Sequence, residues 1–218
     1  LEEANELLSK ETELPMEVSS LEPLFGGKAL AWRKFGNSLY LRLLMRVSGK
    51  SELNAISEIK RIAELEKVRY PMMENNAESA VLRFTAIAPL ISPFSQWRTF
   101  DFNGDKGYSE FFINTLNEWG DPRLPILATQ YTLGVYSGMQ SGYATGSVPE
   151  RQSTLPEKFK DEPRLGNIMN YAELQFILAE AALKGYINAA PKTFYDKGVE
   201  SAITFWDCER HADFLKKR

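Results

Sequence analysis

Three observations predict a mostly α-helical protein built of helical hairpins joined by long irregular loops. Apolar residues recur every three or four positions between residues 30 and 68, between 109 and 120 and again between 170 and 206, the spacing that lines one face of a helix. Capping residues and glycine or proline stops bound these segments. The unit from Tyr171 to Trp206 spans 36 residues and carries small side chains where two helices must approach, which is the size and style of a tetratricopeptide repeat. The pair of segments over 30–68 has a similar length without that small-residue pattern, so no clear internal repeat is read.

In chain order, Leu1, Ala4, Leu7 and Leu8 with intervening glutamates predict a short amphipathic helix. Pro15, Pro23, Gly26 and Gly27 then mark a loop over 11–28. Trp32, Phe35, Leu39, Leu43 and Val47 form the apolar face of a helix over 30–48, stopped at Gly49. Ser51 is placed to cap a second helix whose stripe is Leu53, Ile56, Ile59, Ala63 and Val68, closed by Pro71. Residues 72–108 lose the period and read as irregular, with strand or buried coil over 81–88. Ser109 is the predicted cap of a helix facing inward with Phe112, Ile113, Leu116 and Trp119 and ending at Gly120. Residues 123–167 read as a long loop, which in a compact domain is either functional or hides a missed element. Asn170 with Glu173 has the form of a capping box before Leu174, Ile177, Leu178 and Ala181, and Gly185 ends that helix. Pro191 suits the first turn of the last helix, with Phe194, Gly198, Ala202 and Trp206 on one face.

Composition removes several classes of function. Lys plus Arg number 26 and Asp plus Glu 29, a net charge of −3, so no global field gathers phosphates and nucleic acid is not expected as a partner. The longest uncharged apolar stretch, 84–94, is broken by Pro89 and Pro93 and is far short of the roughly 20 residues of a spanning helix. The single Cys208 and single His211 exclude an internal disulfide and multi-histidine metal sites, and read as an incidental surface pair. Asp101, Asn103 and Asp105 begin like a calcium loop, but Lys106 stands where glycine is needed and Phe112 where a bidentate glutamate belongs. Glu173 and Glu180 read as capping and solvating residues of one helix. No phosphate loop or nucleophile elbow is present, so no catalytic residue, cofactor or metal is expected.

What remains is aromatic. Trp97 and Phe100 lie in the first irregular stretch, and Tyr131, Tyr136 and Tyr143 alternate with small residues in the second. A flat ring stacks on the apolar face of a sugar while its polar edge stays wet, and rigid aromatics are inexpensive anchors. These five are the candidate ligand-binding residues. Trp97, between Pro93 and Gly104 and beside Arg98, is expected to be exposed.

Leu24-Phe25-Gly26-Gly27, then Trp32-Arg33-Lys34-Phe35-Gly36-Asn37-Ser38-Leu39 and Leu41-Arg42-Leu43-Leu44-Met45-Arg46-Val47-Ser48, resemble the SusD/RagB-like outer-membrane lipoproteins. Tyr108-Ser109-Glu110, Asp121-Pro122-Arg123-Leu124-Pro125, the run from Met169 to Ala182 and the run from Tyr195 to Ile203 resemble later segments of that family in the same order. Lys28 departs from the acidic residue usual there, and the tail from Asp207 to Arg218 does not resemble the family. The resemblance implies a helical, repeat-containing protein that binds a polysaccharide or oligosaccharide at the cell surface, without catalysis, for uptake through a partner SusC-like TonB-dependent transporter. It implies an outer-membrane location through a lipid anchor outside this chain, and residues 1–218 as one SusD-like domain forming an internal or incomplete portion of a longer chain. The reading from a different class is a helical-repeat scaffold that binds a protein or peptide.

Overall fold

The computed structural model describes residues 1–11, 13–104, 107–208 and 211–216. The chain is predominantly helical and divides into two compact units, one of residues 1–83 and 166–202, the other of residues 84–165 and 203–218. The helices are α1 (Glu2–Leu8), α2 (Met16–Ser19), α3 (Ala29–Val47), α4 (Ala55–Lys60, continued by a π turn over Arg61–Leu65), α5 (Glu110–Trp119), α6 (Leu124–Leu127), α7 (Tyr171–Leu183), α8 (Pro191–Thr204) and α9 (His211–Leu215). Two short strands, β1 (Ala80–Val81) and β2 (Asn167–Met169), pair antiparallel, with Ala80 opposite Met169. Of the stretch 81–88 read as strand or buried coil, this pairing takes only Val81, with Ala80 before it, into a sheet.

In the first unit Leu41, Leu44, Met45, Ile59, Ile62, Leu174, Leu178 and Ala181 make one core. The face that α3 buries is shifted from the apolar stripe: Phe35, Leu39 and Val47 pack partly buried on the core, Leu43 is 48% exposed, and Lys34, Asn37 and Ser38 are buried. Each buried polar group has partners, which is what permits the burial. Lys34 Nζ donates to Glu74 and Glu78, both at 2.7 Å. Asn37 Nδ2 donates to Asn5 Oδ1 and Pro71 O at 3.0 and 2.9 Å. Ser38 Oγ donates to Lys34 O and accepts from Met73 N.

The second helix departs from expectation at both ends. Ser51 begins a 3₁₀ turn rather than capping, and Asn54, in the left-handed region, precedes α4. The helix stops at Leu65, so Val68 is 96% exposed and the buried stripe is Ala55, Ile59, Ile62 and Ala63.

The hairpin of α7 and α8 forms as expected. Asn170 Oδ1 accepts from Glu173 N at 2.8 Å, while the Glu173 carboxylate pairs with Arg42 at 3.0 Å instead of closing the capping box. Gly198 lets α8 approach α7, because a Cβ there would stand 2.7 Å from the Phe176 ring. Trp206 lies beyond the helix end and packs on Phe159, 5.6 Å between ring centroids, with the Arg164 guanidinium over its face. Cys208 is buried, its Sγ donating to Pro122 O. Burial pushes this thiol up from its ordinary value, so it is neither a surface group nor an activated nucleophile. The side chain of His211 lies outside the described residues.

The Leu24–Gly27 phrase is a turn built on one carboxylate. Glu22 accepts from the backbone N–H groups of Leu24, Phe25 and Gly27 at 2.7, 2.9 and 3.0 Å and from Trp32 Nε1 at 3.2 Å. Partial burial opposes ionisation, but these donors outweigh it and hold Glu22 below its ordinary value of 4.5. Gly27, at φ +75°, has no room for a side chain, since a Cβ would meet Ser19 at 2.4 Å.

Two outcomes are expected from these contacts. Ala181 is fully buried, so Ala181→Trp overpacks the core and costs at least about 1–3 kcal/mol, read as a lower melting temperature by about 2–4 °C per kcal/mol. A group whose folded pKa is depressed stabilises above its unfolded pKa, and the contribution is lost as pH falls through the folded value. Stability should therefore drop below pH 4.5, and Glu22→Gln should flatten that part of an acid denaturation profile.

Candidate functional site

All five candidate aromatics lie in the second unit. Its core is small: Ile113, Leu116, Leu124 and Ala128, with Tyr108, Phe112 and Tyr136 packed against it. Ser109 caps α5 as expected, accepting from Phe112 N, and Gly120 ends it in the left-handed conformation. Trp119 turns outward, 43% exposed. Asp121 is buried and holds Arg123 through two bonds, to Nε at 3.0 Å and Nη2 at 2.7 Å, while also accepting from Arg123 N to start α6. Burial pushes the Tyr108 hydroxyl up to about 12, and it donates to Leu127 O at 2.8 Å.

Trp97 is 43% and Phe100 66% exposed. Trp97 stands edge-on to half-buried Phe94 at 5.3 Å between centroids, and Phe94 packs on buried Phe102 at 5.7 Å. Phe100 opens the π turn Phe100–Gly104 and lies against Gly104. Arg98, next to Trp97 in sequence, binds both carboxylate oxygens of Asp101, at 2.6 and 2.8 Å. Asn103 Nδ2 donates to Leu155 O at 2.7 Å. Asp101 and Asn103 are thus engaged by protein groups, and Asp105, the third residue of the calcium-like phrase, lies outside the described residues.

The second loop turns sharply. Tyr131 N donates to Val135 O and Val135 N to Thr132 O, at 2.8 and 2.9 Å, and the Gln130 side chain accepts from Gly134 N. Leu133, at the tip, is 97% exposed. Tyr131 and Tyr143 are exposed, whereas Tyr136 is half-buried on the core. The charge of Glu150 and a hydrogen bond to it push the Tyr131 hydroxyl up.

Segment 150–157 ties the two loops together. Ser153 pairs by its backbone with Tyr108 and Ser137, and Thr129 N donates to Thr154 O, all at 2.9 Å. Ser153 Oγ accepts from Ser137 N. On its other side the segment meets the first loop through Arg151 to Gly104 O, Leu155 O to Asn103, and Glu157 to Thr99. The sequence gives no local sign of this role for Glu150 or Arg151, because the pairing is non-local and follows neither helical nor alternating periodicity.

Among the described residues no group of three or more His, Cys, Asp or Glu side chains is placed to hold a metal ion, and no helix is long and apolar enough to cross a membrane.

A helical protein displaying aromatic side chains on loops held by a shared segment is the class these observations define. The SusD-like family whose description reads "Starch-binding associating with outer membrane" matches residues 1–218, and the chain belongs to it. A SusD homologue of Bacteroides fragilis is similar at 26% identity with a TM-score of 0.76, over 98% of this chain and 49% of that one. A SusD-like protein of Bacteroides thetaiotaomicron is similar at 25% identity and TM-score 0.72, over 98% of this chain and 43% of that one. A chitin-binding protein shares the fold, with 24% identity and TM-score 0.71 over 90% and 46% of the two chains. The chain spans less than half the length of each. A search of curated protein sequences returned no significant match.

The Thr129–Thr154 contact generates a test. Thr129 Oγ1 accepts from Thr154 N at 2.9 Å, and Thr154 is 2% exposed. Thr129→Val leaves that N–H unsatisfied and should cost about 1–3 kcal/mol in chemical denaturation, whereas Thr129→Ser should retain most of the stability.

Proposed function

We propose that this chain is the glycan-binding portion of a non-catalytic nutrient-binding protein of the outer membrane. The observation that carries the reading is the family match over the whole chain. The ligand is a polysaccharide or oligosaccharide stacked on loop aromatics: Trp97, Phe100, Tyr131 and Tyr143 are the accessible rings, while Tyr136 packs half-buried on the core. The longer protein sits at the cell surface on a lipid anchor and passes its ligand to a SusC-like TonB-dependent transporter.

Stacking makes binding insensitive to salt, in contrast to a charged peptide groove. Trp97→Ala removes a hot-spot contact and should weaken binding at least about tenfold. The ring rests on half-buried Phe94 rather than in the core, so the melting temperature should stay nearly unchanged. Calorimetric titration with polysaccharides that the wild type retains in affinity gels checks this. Unfolding of the variant, together with absence of binding by the wild type across a broad panel, would overturn it.

A further inference from the structure

Phe100 is held from outside its own side chain. A Cβ on Gly104 would stand 2.4, 2.7 and 3.0 Å from three carbons of the Phe100 ring, so the ring occupies the space that only glycine leaves open. The carbonyl of the same glycine accepts from the Arg151 guanidinium. Arg151 follows Glu150, the residue against which the Tyr131 hydroxyl rests. Gly104 and Tyr131, which belong to different loops of the sequence, are therefore fixed to neighbouring residues, whose Cα atoms lie about 3.8 Å apart across a trans peptide.

We propose that Gly104 and Arg151 are positioning residues of the glycan site: Gly104 sets the orientation of the Phe100 ring, and Arg151 locks that turn to the segment carrying the Tyr131 contact. The proposal rests on the glycan reading above and adds to it a reason for the glycine and the arginine. Neither residue needs to touch the ligand. Gly104 offers no side chain, and the Arg151 donor is turned to a backbone carbonyl. Exposure of Phe100 makes the device testable, because its ring can swing aside when displaced without opening the core.

The experiment uses the full-length protein. Wild type is first screened by native affinity electrophoresis against amylopectin, xylan, laminarin and pectin, and oligosaccharides of the retained polymer are then titrated calorimetrically. Phe100→Ala, Gly104→Ala, Arg151→Ala and Arg151→Lys are compared, with Phe100→Ala/Gly104→Ala completing a double-mutant cycle. Phe100→Ala should lose about tenfold in affinity and Gly104→Ala a comparable factor. The double variant should be no weaker than Phe100→Ala alone, since residues acting through one ring are not additive. Arg151→Ala should weaken binding and Arg151→Lys, which keeps a donor, should restore part of it. Circular dichroism and melting temperature should be unchanged throughout. Wild-type affinity in both Gly104→Ala and Arg151→Ala, or additive losses in the cycle, would overturn the positioning role while leaving glycan binding intact. Failure of the wild type to bind any polymer would instead overturn the glycan reading and this proposal with it.

Discussion

The first unit depends on a row of polar side chains buried along α3. An unpaired buried ammonium or amide is costly, so Lys34, Asn37 and Ser38 can lie inside only if several other segments come to meet them. Glu74 and Glu78 answer the lysine, Asn5 and Pro71 the asparagine, and the Met73 amide the serine. One helix face thereby dictates where residues 71–78 run and where α1 docks. Arg33 reinforces the dock by donating to Asn5 Oδ1 and to Arg69 O. The net charge-assisted gain is modest for each bond, but the cost of breaking any one is not. The apolar core beneath can therefore be ordinary in composition without losing a unique arrangement.

This polar row also explains why helix positions were legible in the sequence and buried faces less so. The caps and stops are local chemistry: Ser109, Gly120, Asn170 and Gly185 act through neighbours within a few residues, and all four mark helix ends in the structure. The buried face of α3 is decided by partners 32 to 44 positions away, so a reading by apolar spacing selects Leu43 where the core takes Leu41, Leu44 and Met45. The short α2 and α6 and the tail helix α9 escaped for a related reason, being too short to show a period. The family phrases, in contrast, mark structural devices. Glu22 beside the Gly-Gly turn and Asp121 before Arg123 each organise backbone around one carboxylate.

The candidate site was legible as a list of exposed rings but not as an arrangement. Composition and loop position pick out Trp97, Phe100, Tyr131 and Tyr143, all of which are exposed. Tyr136 shares the same sequence environment yet faces the core, because it stands next to the residues that pair with α5 and with Ser153: Asn117 donates to its carbonyl, and the following Ser137 bonds Ser153. Alternation between rings and small residues cannot tell these two fates apart.

A binding surface on irregular chain faces an entropic difficulty, since each loop ordered on binding subtracts from affinity. For the proposed site, the second unit meets it without long helices or a broad sheet. Ser153 and Thr154 are almost fully buried, and their backbone and hydroxyl groups anchor both loops at once. The rings themselves rotate about only two torsions, so once the backbone is pinned little freedom remains to be lost. Trp97 adds a second form of restraint through the edge-on contact that leads by way of Phe94 to buried Phe102. Under the proposed function, irregular backbone and a preformed surface are thus compatible, because the ordering cost falls on folding of the second unit rather than on the arrival of a glycan.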